Sequence, residues 1–172
     1  MSSPELPELH AAELLTALVE RDVMFLVVGG IGAQLHGAAR ATKDLDVCVP
    51  WARENFDRLV AALDDLHARL DLPLELGDVE VRPSSELLAR TSMTRWITQA
   101  GILDVLRDIP AGKDGARRGY VDLEPAAVQV RAAARAVMVA SLDDIIASKE
   151  HADRAKDRDA LPELYALREK TG

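Results

Sequence analysis

Two aspartates, Asp44 and Asp46, stand two residues apart in a short apolar run that ends at Val49. Side chains spaced i, i+2 on a strand point to one face, so the two carboxylates converge. Like charges on one face of an apolar strand are unfavourable unless a cation or hydrogen-bond donors offset them. The alternative is a strand end whose aspartates meet solvent or cap a neighbouring element. Opposite a glycine turn, such a pair suits a divalent cation that itself holds phosphates. A third carboxylate, Asp104, lies in the strand-like run Gly101 to Leu106. Alone it reads as an edge-strand surface residue; in the same sheet as the pair it becomes a candidate third ligand.

The glycine turn is Gly29-Gly30, which ends the apolar run Val23 to Val28. A dinucleotide fingerprint would need a small residue at position 35, which is leucine, and a Walker loop would need lysine at position 38, which is alanine. What remains is a strand, a glycine pair and a short helix, whose exposed backbone N–H groups can receive an anion. Many turns use glycine merely for its backbone freedom. Arg40 and Lys43 flank the carboxylates and suit an ion pair or phosphate contact, or simple exposure. His36, before Gly37, reads as a helix-terminal or packed histidine. Trp96, beside Arg95, is placed either to stack a base or to fill a core.

These residues need a scaffold. The pattern predicts a helix over Glu8 to Arg21, a strand over Val23 to Val28, and a short helix over Ile31 to His36. A second strand follows over Asp44 to Val49, then a helix over Trp51 to Leu70. Asp71 to Pro83 is turn-rich, and Ser84/Ser85 to Arg90 suits one helical turn. Thr94 to Ala100 and Ile102 to Leu106 form a hairpin at Gly101. Pro110 to Gly119 is a glycine-rich loop. Short strands at Val128 to Arg131 and Ala136 to Ala140 precede two helices, one capped at Ser141 and one over Asp157 to Glu169. The expected fold is mixed α/β in one domain over 1–172, with a core at about 23–140, a C-terminal helical part at about 141–172, and an extended lead at residues 1–7.

Composition sets limits. The chain has 172 residues and a net charge of −8, with 48% hydrophobic and 29% charged residues. That balance argues against general adhesion to nucleic acid or membranes. The charge is uneven: residues 82–118 hold 7 basic and 4 acidic side chains and form the one net-positive third. If a polyanion binds, this is the place for it; the alternative is a solvated loop whose asymmetry is chance. The acidic N-terminus does not read as a signal peptide, and the single Cys48 reads as a core residue in a reducing cytoplasm.

Val28-Gly29-Gly30, Leu35-His36-Gly37 and Arg40-x-Thr42-x-Asp44-Leu45-Asp46 together resemble the nucleotidyltransferase superfamily that shares the DNA polymerase β palm fold. More narrowly the chain is similar to minimal bacterial members, including AbiEii-type toxins of toxin–antitoxin systems. The run Ser141 to Lys149, then Arg154-x-Lys156-Asp157-Arg158, adds to the resemblance. A serine that commonly follows the family's glycines is absent here, where Ile31 and Gly32 stand.

The resemblance implies a small mixed sheet flanked by helices and an enzyme using Mg²⁺ and an NTP. Gly29 and Gly30 would hold the triphosphate; Asp44, Asp46 and Asp104 would ligate metal and carry catalysis with Lys149. Lys149 would also reach the triphosphate, and Asp157 would organise that lysine or the nucleotide. Arg40 joins the expected nucleotide-binding set. The expected acceptor is the 3′ end of tRNA, contacted by Arg95, Lys113, Arg117 and Arg118, with a cognate antitoxin as partner. The rivals are transfer to a small molecule such as an aminoglycoside, transfer to a protein hydroxyl, and a catalytically silent partner-binding module.

Overall fold

The computed structural model describes residues 5–132 and 134–172; residues 1–4 of the expected extended lead lie outside them. Its centre is a seven-stranded mixed sheet flanked by helices, the mixed α/β arrangement expected. The first helix, α1 (Ala11–Glu20), buries Leu14, Leu15, Ala17 and Leu18 on one face. Strand β1 (Leu26–Val28) follows, buried along its whole length. It is shorter than the apolar run that predicted it. The buried Asn55 side chain accepts from Met24 N–H at 2.7 Å and donates to Met24 C=O at 3.0 Å, taking the backbone groups a ladder would use.

Helix α2 (Gly29–Leu35) starts on the glycine pair itself. Strand β2 (Asp44–Cys48) turns Leu45 and Val47 into the core and Asp44 and Asp46 to the other face. Helix α3 (Arg53–Asp65) stops earlier than expected because His67 adopts a left-handed backbone with φ 51°. Arg69–Leu70 then forms the edge strand β3 instead of a last helical turn. Helix α4 (Ser85–Arg90) is capped by Ser84, whose Oγ accepts from Leu87 N–H at 3.2 Å.

Strands β4 (Met93–Thr98) and β5 (Gly101–Leu106) make the expected hairpin, with Gly101 at φ 118°. The Pro110–Gly119 loop is bracketed by a two-stranded ribbon of β6 (Asp108–Ile109) and β7 (Arg118–Gly119). After the short helix α5 (Tyr120–Leu123), β8 (Val128–Ala132) and β9 (Arg135–Val139) form the other edge of the sheet. Helices α6 (Leu142–Ala152) and α7 (Ala155–Thr171) complete the chain.

The sheet runs β3-β4-β5-β2-β1-β9-β8. Strand β2 pairs antiparallel with β1 and parallel with β5, while β9 lies parallel to β1. This topology places the end of β9 beside the end of β1. Helix α6 therefore begins next to the α2 turn, and Ile145 and Ile146 are buried in the common core. Trp96 and Cys48 are fully buried there too, so Trp96 fills the core. His36 Nε2 lies 2.8 Å from Ala140 C=O, a packing role. Among the described residues no helix is long and apolar enough to cross a membrane.

Candidate active site

One cross-strand row of the sheet builds the site. Arg95 on β4 stands opposite Asp104 on β5, Asp104 opposite Asp46 on β2, and Asp46 opposite Val28 on β1. Residues in one row share a face. With Asp44 two positions from Asp46, three carboxylates offer oxygens within 4.8 Å of one another. The glycine pair lies directly against them. A Cβ at Gly29 would fall 2.1 Å from Asp46 Oδ2, and one at Gly30 would fall 2.8 Å from Thr42 Oγ1. Gly29 also has φ 63°, so both space and backbone require glycine there.

The charges are only partly balanced within the chain. Arg95 donates to both Asp104 oxygens at 2.8 Å and from Nη2 to Asp44 Oδ2 at 3.0 Å. Thr42 Oγ1 donates to Asp44 Oδ1 at 3.3 Å. Asp46 Oδ1 is buried and, among the described residues, has no hydrogen-bond partner. Burial, then the neighbouring Asp44 and Asp104, push the Asp46 carboxyl well above the ordinary carboxylate range. An orphaned buried oxygen in an all-carboxylate set fits a hard divalent cation such as Mg²⁺.

Cations arrive from the C-terminal helices. Lys149 Nζ on α6 lies 3.7 Å from Asp157 Oδ1, and Arg154 Nε donates to Asp157 Oδ2 at 2.7 Å. Asp157 is fully buried at the start of α7 and also accepts from the Arg154 backbone N–H at 3.2 Å. Burial lowers the Lys149 ammonium below its ordinary pKa, opposed by Asp157 and reinforced by Arg154 and Lys156. Burial raises the Asp157 carboxyl, but its bonds to Arg154 and the charges of Arg154 and Lys149 outweigh that and hold it below the ordinary value.

Two clefts meet at the carboxylates. The first, about 610 Å³, is lined by Gly29, Gly30, Arg40, Thr42, Lys149 and Lys156, among others. The second, about 980 Å³, is lined by Arg95, Asp104, Asp108, Ile109, Arg117 and Asp157, among others. Gly29, Asp44, Asp46, Lys149, Arg154 and Lys156 belong to both walls.

The structure thus brings Gly29, Gly30, Arg40, Asp44, Asp46, Asp104, Lys149 and Asp157 around one centre. Asp157 reaches it through Lys149 and Arg154. The residues expected to track RNA fare differently. Arg95 is held by Asp104 and Asp44, Arg117 by Asp108 at 2.6 Å, and Arg118 by Asp144 at 2.7 Å. Lys113 and Arg118 line neither cleft. Of the basic residues of 82–118, Arg90, Arg95, Arg117 and Arg118 thus have carboxylate partners within the chain.

Sequence reasoning assigned no role to Arg154 and Lys156, which line both clefts. A signal was present. Positive side chains at a helix N-terminus oppose the helix dipole, and Arg154, Lys156 and Arg158 crowd the start of α7. Asp157 answers Arg154 within the chain, and Lys156 is left facing the clefts.

The fold is that of the nucleotidyltransferases. The crystal structure of the lincosamide antibiotic adenylyltransferase LnuA with lincomycin bound superposes with a TM-score of 0.63 at 14% identity, over 93% of this chain and 99% of that one. ANT(2″)-Ia in complex with adenylyl-2″-tobramycin gives a TM-score of 0.54 at 18% identity, over 92% of both chains. A Thermotoga maritima protein described as a candidate nucleotidyltransferase gives 0.53 at 14%, over 90% and 89%. No protein-family model matches the chain. No curated protein matches it by sequence.

Proposed function

We propose that this protein transfers a nucleoside monophosphate from an NTP to a hydroxyl of a small polyhydroxylated molecule, using Mg²⁺. The observation that carries the reading is the meeting of two clefts at Asp44 and Asp46, beside Asp104, with an orphaned Asp46 oxygen at the junction. The first cleft, with its cations and glycine floor, receives the triphosphate. The second receives the acceptor.

In the reaction the acceptor oxygen bonds to the α-phosphorus, the bond from that phosphorus to the bridging oxygen breaks, and pyrophosphate leaves. Asp44 and Asp46 would hold Mg²⁺, and a bound ion supplies charge neutralisation at the phosphates. Lys149, Arg154 and Lys156 bind the phosphates and stabilise the charge on the leaving pyrophosphate. The Gly29-Gly30 backbone lies open to the triphosphate where any side chain would collide with Asp46 or Thr42. Asp157 positions Lys149 and Arg154. Each Asp104 oxygen keeps a further acceptor site beyond its Arg95 bond, so the attacking hydroxyl can hydrogen-bond there and pass on its proton.

The acceptor class follows from the second cleft and the basic residues. On the side of that cleft away from the cations shared with the first, Arg95 is paired with Asp104 and Arg117 with Asp108, and Met93, Ile109 and Pro110 add apolar surface. That mixture of paired charges and apolar side chains suits a hydroxylated small molecule. Antibiotic-modifying enzymes on the same fold support the choice. The test incubates the protein with Mg²⁺ and each NTP labelled at the α-phosphate, with a panel of aminoglycosides and lincosamides and, separately, total tRNA. Label on a small molecule that vanishes with Asp46→Ala supports the reading. Label on tRNA would overturn the acceptor class and favour the toxin role with its antitoxin; label on nothing would count against transfer itself.

A further inference from the structure

We infer that this site takes one divalent cation, and that the Arg95 guanidinium stands in for a second. The inference rests on the nucleotidyl-transfer reading but concerns what balances the carboxylates. Two-metal sites of phosphoryl-transfer enzymes place one ion on the nucleotide side and one on the acceptor side. Here the acceptor-side carboxylate, Asp104, has both oxygens engaged by Arg95 at 2.8 Å. The same guanidinium reaches Asp44 Oδ2 at 3.0 Å and so bridges two of the three carboxylates, as an acceptor-side ion would. By contrast, the oxygens left open to an ion belong to Asp44 and Asp46, where the two clefts meet. Asp46 Oδ1 has no partner among the described residues, and Asp44 Oδ1 has only the Thr42 hydroxyl.

The placement is built into the sheet. Arg95 stands directly opposite Asp104 in the β4–β5 ladder. Its neighbours Thr94 and Trp96 are buried on the opposite face, and Trp96 Nε1 donates to Thr94 Oγ1 at 2.8 Å. A slip of β4 by one residue would expose Trp96, so the register that seats Arg95 is held by the core. A guanidinium keeps its charge throughout the accessible pH range, and its planar fork matches a carboxylate. One guanidinium and one divalent ion together balance the three carboxylates. A second ion beside Arg95 would meet a fixed positive charge a few ångströms away. Arg95 is thus a positioning residue that presents Asp104, already neutralised, to the acceptor.

The experiment counts bound Mn²⁺ by electron paramagnetic resonance, in the presence of the α,β-methylene analogues of the four NTPs in turn. One Mn²⁺ per wild-type chain is expected, none with Asp46→Asn, and two with Arg95→Gln, where Asp104 is released. Arg95→Lys, which keeps the charge, should hold one and serves if Arg95→Gln does not fold. Two Mn²⁺ per wild-type chain, or a failure of Arg95→Gln to gain one, would overturn the inference and leave nucleotidyl transfer standing. No bound Mn²⁺ in the wild type would overturn the metal-dependent reading beneath it.

Discussion

Asp46 carries the tension of the site in one side chain. Its carboxylate is pressed against the Gly29 backbone, has an oxygen without a partner, and has two like charges beside it. Without metal, Asp46→Asn removes repulsion. It should raise stability by about 1 kcal/mol, which corresponds to a melting-temperature rise of roughly 2–4 °C for a chain of this size. Mg²⁺ should then no longer stabilise the variant, whereas the wild type should gain about 2.7 kcal/mol when the ion is at a hundred times its dissociation constant. Thermal melts of both proteins with and without Mg²⁺ check both parts. At Gly29 the sign reverses. Gly29→Ala forces a Cβ into Asp46 and strains a left-handed backbone, so it should cost about 1–2 kcal/mol and weaken Mn²⁺ binding. A melt combined with a metal titration would separate the two losses.

Elements place those residues by register and by caps. The junction of α6 and α7 depends on Asp157, buried and bound to Arg154 and Lys149. Its folded pKa lies below the unfolded value, so the stability it contributes is complete above about pH 4 and is lost as pH falls through the folded value. Asp157→Asn should cost about 3 kcal/mol at neutral pH, because it leaves the partner cations unbalanced. Urea midpoints of wild type and variant from pH 7 to pH 3 should converge on the acid side. In the β4–β5 hairpin, Trp96→Ala should cost about 3–5 kcal/mol by opening a core cavity. The i, i+2 aspartates, the glycine pair, the Gly101 hairpin and the Ser141 cap were legible in the sequence because each is a local pattern. That Arg95 would face the carboxylates was not, since its partners depend on how strands pair. Leu70 was misread because apolar spacing runs through His67, where the left-handed backbone ends the helix.

At the scale of the whole molecule, charge decides which partners the protein tolerates. The net charge is −8, and most arginines of the basic segment are tied to aspartates or, as with Arg107 over Trp51, to an aromatic face. Labelled tRNA at about 150 mM salt should therefore bind more weakly than about 100 µM, near the non-specific limit, as read by fluorescence anisotropy. The composition pointed that way, and the basic third pointed the other way. Within the chain Arg95, Arg117 and Arg118 of that third each have an aspartate partner.

The parallel pairing of β1 with β9 also sets an order in time. Asp46 and Lys149 meet in space but are made 103 residues apart, so a ribosome adding about 5–20 residues per second finishes the second roughly 5–20 s after the first. During that interval a nascent chain carries the carboxylates without the lysine and arginine that line the same cleft. Arg95 and Asp104 emerge in between, so the acidic cluster has one counter-charge of its own before α6 and α7 exist. A translation product that stops short of α6 would hold three carboxylates against one guanidinium at its centre and lack the lysine side of the cleft.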